Sequence, residues 1–342
     1  MNWTRGKTIG RGSSATVYAA TCKISGETFA VKSAEFHRSE FLQREAKILS
    51  SLNSPYVIGY RGCEITKEPF NDGEATYNLL MEYAPHGTLT DVAAKNGGSI
   101  EEARVSRYTR QLLLGLEYIH DSKGIAHCDI KGSNVLVGEN GEAKIADFGC
   151  AKWVEPELTE PVRGTPAYMA PEVARGERQG KESDIWAVGC TVIEMVTGSP
   201  PWICADSTDP VSVLYRVGYL GESPELPSSL TEQAKDFLGK CLKIEAKERW
   251  TATQLLNHPF LLTKTNTEPV LITGLVTNSP TSVTDQIFWR SVEEEEDDLD
   301  RPSWWECHEE RIGVLSWIGQ VVADPTWDMD GADWITVRRN ND

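Results

Sequence analysis

The chain has 342 residues, a formal net charge of −17 and 40% hydrophobic side chains, enough to bury a substantial core arranged in one or two lobes. No window approaches the roughly 20 apolar residues of a membrane-spanning helix, and the opening MNWTRGKTIGRG lacks the apolar core of a secretory signal. The acidic balance argues against a nucleic-acid surface, which needs clustered Lys and Arg, so neither a membrane nor a nucleic acid is expected as a partner. Eight cysteines (22, 63, 128, 150, 190, 204, 241 and 307) stand without a C-x-x-C pair or metal-ligand spacing, which predicts reduced thiols in a reducing compartment.

In chain order, IGRGSSATV comes first and places Gly10 and Gly12 between Ile9 and Val17 in a predicted strand-turn-strand. Missing side chains there let backbone N–H groups approach phosphate oxygens, although the segment taken alone is an ordinary glycine-containing hairpin. TVYAAT and TFAVKSA, with β-branched and aromatic residues around a turn at Ser25-Gly26, predict two strands. Ala30-Val31-Lys32 lies on the second, suitably downstream for the ammonium to reach phosphates under the loop. SEFLQREAKILSSL predicts a helix with Phe41, Leu42, Ile48, Leu49 and Leu52 on one apolar face. Glu45 on that helix can pair with Lys32, whereas either charge alone would pass for a solvated surface group. Up to about Tyr83 the chain is expected to be mostly sheet.

From Thr88 the pattern turns helical, through ARVSRYTRQLLLGLEYIH, ESDIWAVGCTVIEMVTG, TEQAKDFLGKCL and TATQLLNHPF. Between the first two runs lie HCDIKGSN, residues 127–134, and IADFGCA, whose Asp147 follows Asp129 by 18 positions. Asp129 suits the task of orienting a substrate hydroxyl and accepting its proton, and Lys131 can offset charge on a transferred phosphoryl group. Asn134 and Asp147 offer oxygen ligands for Mg²⁺. Four such sets in this order argue against coincidence.

These residues carry a resemblance to the eukaryotic protein kinase domain from about residue 3 to 260, which implies an α+β, two-lobed fold with an antiparallel N-lobe sheet and a mainly helical C-lobe. The likeness continues through GTPAYMAPE, where Ala170-Pro171-Glu172 closes a segment opened by Asp147-Phe148-Gly149, and through Asp184 in SDIWAVGC. It implies ATP and Mg²⁺ as cofactors, bound between the lobes. The loop residues Ile9, Gly10, Arg11, Gly12, Ser13, Ser14, Ala15, Thr16 and Val17 would cover the phosphates. Ala30 and Lys32 would lie beneath them, with Met81 as gatekeeper and the backbone of Glu82, Tyr83 and Ala84 receiving adenine. Ala15 replaces the third glycine of the family's loop, which is tolerable where φ stays negative. Arg249 in KERW stands where the family pairs an Arg with Glu172.

Lys131 after Asp129, and Gly164-Thr165-Pro166, resemble serine/threonine rather than tyrosine kinases. Thr165 is expected to bond near Asp129 and Lys131, shaping the acceptor pocket. GTPAYMAPE, FLQREAKILSSLNSPYVIGYRG and MEYAPHGTL are similar to the MAP kinase kinase kinases of the MEKK-like group, and most of all to small plant members of the 17 and 18 type. That resemblance implies a MAP kinase kinase substrate, stress or abscisic-acid signalling, and a cytoplasmic location with a nuclear share. The rival readings are a serine/threonine kinase outside such a cascade and a pseudokinase scaffold hinted at by Cys128 and Ala15.

Many kinases carry Arg before the catalytic Asp, where its guanidinium grips a phosphate on the activation segment. Cys128 cannot do so, and a small buried thiol is expected there rather than a redox centre. CAKWVEPELTEPVR has one hydroxyl residue, Thr159, among Glu155, Glu157 and Glu160, so a phosphate placed there would meet repulsion. Activity is therefore expected not to depend on phosphorylation of this segment.

Beyond residue 260 a separate acidic, Trp-rich tail, 261–342, is expected. Residues 265–342 hold 17 acidic and 5 basic side chains, a net of −12, and 287–336 hold six tryptophans: Trp289, Trp304, Trp305, Trp317, Trp327 and Trp334. Such segments either pack on the kinase domain in cis or dock a partner, while EEEEDDLD reads most simply as a solvated spacer. No oligomeric state is assigned.

Overall fold

The structure is a computed structural model that describes residues 2–12, 14–67, 74–154, 161–202 and 209–262. Of the expected tail, residues 261 and 262 complete the last helix, and its remainder, Ser13, Thr159 and the glutamates around Thr159 lie outside the described residues.

The N-terminal lobe is an antiparallel sheet of β1 (Trp3–Arg11), β2 (Thr16–Cys22), β3 (Thr28–Glu35), β4 (Tyr60–Lys67) and β5 (Ala75–Met81), in the order β1-β2-β3-β5-β4. The predicted turn is present: Gly26 has φ +73°, a left-handed conformation that glycine adopts without steric cost, and it lets β3 fold back on β2. Alternation along the strands sends Ala20, Phe29, Val31 and Leu80 into one cluster, closed by Trp3 and Cys22. The predicted helix is α1 (Glu40–Ser50), which buries Leu42, Ala46, Ile48 and Leu49 against the sheet. Phe41 departs from the expectation. It is 53% exposed, because the register that buries Leu42 and Glu45 turns its neighbour outward.

The C-terminal lobe contains α2 (Leu89–Lys95), α3 (Glu102–Glu117), α4 (Pro171–Ala174), α5 (Lys181–Thr197), α6 (Pro210–Gly218), α7 (Glu232–Cys241), α8 (Ala252–Leu255) and α9 (Pro259–Leu262). Helix α5 is buried all round from Ser183 to Met195, which makes it the axis on which the lobe is built. Its Trp186 is fully buried, and each such large apolar side chain contributes about 1.5–3 kcal/mol relative to exposure. Four short strands sit among the helices: β6 (Ile125–Ala126) pairs with β9 (Lys152–Trp153), and β7 (Val135–Val137) with β8 (Ala143–Ile145). The lobes are stitched together where Ile145 accepts from the Ile58 N–H at 2.9 Å and donates to the Tyr56 carbonyl at 2.8 Å.

Candidate active site

The loop between β1 and β2 keeps its ladder to the tip. Gly10 stands opposite Val17 and Arg11 opposite Thr16, and the Gly12 N–H closes the turn on the Ala15 carbonyl at 2.9 Å. Among the described residues Cys128 and Asp147 are the only non-glycines with positive φ, so the Ala15 methyl brings no backbone strain. Ala30 on β3 faces Met81 on β5 in register, both buried, at the head of the segment that joins the lobes. The Glu82 N–H is bonded to the Gly59 carbonyl at 2.8 Å and is therefore already occupied within the protein.

Beneath the loop, Lys32 Nζ lies 2.7 Å from Glu45 Oε2 and 2.9 Å from Asp147 Oδ1. Burial alone would lower the Lys32 pKa, but the Asp147 and Glu45 carboxylates outweigh it and lift the ammonium above the ordinary lysine range. The same ammonium holds the Asp147 carboxyl well below the usual carboxylate range despite desolvation. Both partners are therefore charged throughout the neutral range. Asp147 reaches this position through a left-handed backbone, φ 62°, while Phe148 beside it is fully buried against the His127 ring at 4.9 Å.

The HCDIKGSN segment is suspended from α5. Buried Asp184 accepts the N–H groups of His127 and Cys128, each at 2.8 Å, and contacts His120 Nε2 at 2.8 Å. Around Asp129 four groups converge. Thr165 donates its N–H and its hydroxyl to Oδ1 at 3.0 and 2.7 Å, and Asn134 Nδ2 donates to Oδ2 at 2.9 Å. Lys131 Nζ lies 3.1 Å from the same Oδ2 and donates to Thr165 Oγ1 at 2.6 Å.

The β7–β8 hairpin brings Asn134, just before β7, and Asp147, just after β8, to one end, tied by the Ala146 N–H on the Asn134 carbonyl at 2.9 Å. Among the described residues neither Asn134 Oδ1 nor Asp147 Oδ2 takes a protein hydrogen bond. Two free oxygens at one end of a hairpin fit a hard divalent cation. Cys128 is buried, and desolvation together with Asp184 pushes its thiol pKa up, away from thiolate chemistry.

A model of the protein kinase domain matches residues 3–261. The chain is 85% identical to mitogen-activated protein kinase kinase kinase 18 of Arabidopsis thaliana, covering 99% of this chain and 100% of that protein. Identity is 69% to mitogen-activated protein kinase kinase kinase 17 of the same plant, with 99% and 93% covered, and 38% to number 20, with 99% and 100% covered. The chain belongs to the MAP kinase kinase kinases. It is a serine/threonine protein kinase.

Of the expected residues, the structure joins Lys32, Glu45 and Asp147 in one charged cluster and gathers Lys131, Asn134 and Thr165 on Asp129. Other contacts became visible only in three dimensions. The Glu82 carboxylate accepts from the Gly59 N–H at 3.0 Å and pairs with Lys144 of β8 at 3.1 Å, bracing the connection between lobes. Glu194 on α5 accepts from Gly132 N–H at 2.8 Å and the Thr90 hydroxyl at 2.9 Å, supporting the catalytic loop from below. Gln179 bridges the activation segment and that loop. No local sequence pattern marks Glu194, Gln179 or the side-chain contacts of Glu82, because the partners lie far away along the chain.

Proposed function

We propose that this kinase transfers the γ-phosphate of ATP, with Mg²⁺, to serine or threonine hydroxyls of MAP kinase kinases. The observation that carries the reading is the convergence of Lys131, Asn134 and Thr165 on the Asp129 carboxylate, together with the ion pair of Lys32 and Asp147. In this reading the glycine loop covers the phosphates and Lys32, held by Glu45, binds them. Asn134 and Asp147 would hold the metal, which supplies charge neutralisation at the phosphates. Asp129 orients the acceptor hydroxyl and takes its proton, and Lys131 offsets the charge that builds on the transferred group. Thr165 presents a small hydrogen-bonding wall, suited to an acceptor on a short side chain.

The names of the similar Arabidopsis proteins support a MAP kinase kinase as the acceptor. Resemblance to that plant group is likewise the support for a place in stress or abscisic-acid signalling, in the cytoplasm with a nuclear share. A panel of kinase-dead MAP kinase kinases, offered to the full-length chain and to a chain ending at residue 260, tests the substrate. Strong labelling of activation-loop Ser/Thr in one or a few members is expected. Labelling no better than that of a generic peptide would place the kinase outside such a cascade.

Control by phosphorylation of the activation segment is not part of this proposal. Cys128 offers no guanidinium to a phosphate, so Thr159→Ala is expected to retain at least about half of wild-type turnover, within the effect of an ordinary surface substitution. Loss of activity in a folded Thr159→Ala protein would show that a phosphate at that position is needed.

A further inference from the structure

A kinase without a guanidinium before its catalytic Asp still has to fix the end of the activation segment that shapes the acceptor pocket. In this structure a neutral side chain makes that connection. Gln179 is 5% exposed and precedes α5. Its Nε2 donates to the Arg163 carbonyl at 2.8 Å and to the Cys128 carbonyl at 3.3 Å, while its Oε1 accepts the Arg163 N–H at 3.2 Å. One amide thus clasps both backbone groups of Arg163, as a neighbouring strand would, and joins them to the residue before Asp129.

The clasp lies two residues before Thr165, whose N–H and hydroxyl bind Asp129. The residue between them, Gly164, has φ +118°, and a Cβ there would come within 2.3 Å of the Cys128 carbonyl oxygen. The segment is therefore pressed onto the backbone of Cys128, not onto its side chain. The Arg163 guanidinium lies over the Phe41 ring at 5.5 Å, and among the described residues it makes no ion pair. This cation–π contact gives the outward-facing Phe41 a role and ties the same residue to α1. No element of the anchor needs a phosphate.

We infer that Gln179 is a positioning residue: it holds Arg163 and Gly164 on the Cys128 carbonyl and so sets the protein-acceptor pocket at Thr165 without phosphorylation. The inference rests on the proposed phosphotransfer to Ser/Thr and extends it to how acceptor binding is maintained. Gln179 touches neither nucleotide-facing Lys32 nor Asp147, so its loss should act on the acceptor and spare ATP.

The test uses the full chain after phosphatase treatment, with a Ser/Thr protein acceptor and steady-state kinetics in both substrates. Gln179→Met has nearly the same length and none of the hydrogen bonds. Its acceptor KM should rise about tenfold, the loss expected for one or two hydrogen bonds, while KM for ATP stays within about twofold. Gly164→Ala attacks the same contact from the segment side and should show the same split; it decides the matter alone if Gln179→Met does not fold. A folded variant with unchanged acceptor KM, an equal rise in both KM values, or a wild type silenced by phosphatase would overturn the inference. A wild type inert towards every Ser/Thr acceptor would overturn the functional reading and this inference together, whereas an active wild type beside unshifted variants would overturn the inference alone.

Discussion

Asp129→Ala is expected to lower phosphate transfer to a Ser/Thr acceptor by about 10²–10⁴-fold, the range for loss of a positioned general base. The carboxylate is the node of the site. Its Oδ1 receives two hydrogen bonds from Thr165, and its Oδ2 receives Asn134 and the Lys131 ammonium. Alanine removes the proton acceptor and also leaves Lys131, Asn134 and Thr165 without their common partner. Asp129→Asn separates these effects. It keeps the shape of the side chain yet cannot take the hydroxyl proton, so kcat should fall nearly as far while the acceptor KM changes less. Nucleotide affinity, measured by a fluorescent ATP analogue, should remain within about twofold in both, because Lys32 and Asp147 are untouched. Incorporation equal to wild type would remove Asp129 from the chemistry.

The legible part of the site was the part written in short motifs. Gly10 and Gly12, Lys32, the Asp129 to Asn134 run and Asp147 say little singly, but their order and spacing together restrict the chemistry they can serve. The Lys32–Glu45 pair could be anticipated because Glu45 lies on the predicted helix that follows the Lys32 strand, and the structure gives 2.7 Å. The periodicity of that helix misplaced Phe41, since an apolar stripe read along the chain does not say which edge faces a neighbour and which faces solvent. Strands β6 and β9 have two residues each, too few for alternation to register, yet they pair the stretch before Asp129 with the first part of the activation segment. Gln179 looks like an unremarkable polar residue, and the carboxylate of Glu82 carries no expected role, until their partners, tens of positions distant, are brought beside them. Asp184 was visible as a residue of the pattern, but its grip on two N–H groups of the HCD segment follows only from the burial of α5.

The largest effect on stability is expected at Arg249. Its five N–H groups meet five acceptors. Nη1 and Nη2 form a bidentate pair with Glu172 Oε1 and Oε2 at 2.7 and 2.6 Å, and the remaining hydrogens go to the carbonyls of Lys243, Glu182 and Ile244 at 2.8, 2.9 and 3.2 Å. The guanidinium lies over Trp186 at 5.3 Å, and the side chains of Arg249 and Glu172 are 0% and 8% exposed. Arg249→Ala would leave Glu172 buried with the Ser183 hydroxyl at 3.2 Å as its remaining side-chain donor, and would take one donor from each of three carbonyls. Removing one member of such a pair destabilises by about 3–5 kcal/mol, which for a domain of this size lowers the melting temperature by roughly 10 °C. Arg249→Lys should recover part of the loss, because an ammonium keeps the charge but cannot span both carboxylate oxygens and three carbonyls. Arg249→Met combined with Glu172→Gln should be more stable than Arg249→Ala, since it leaves no lone charge in the core. These residues join the end of the activation segment to the start of α7's trailing loop and to α5, so the melting curve, not the ATP KM, should report the damage. A melting temperature within about 2 °C of wild type for Arg249→Ala would mean that the pair contributes less than about 1 kcal/mol and that the lobe is held by apolar packing on Trp186 alone.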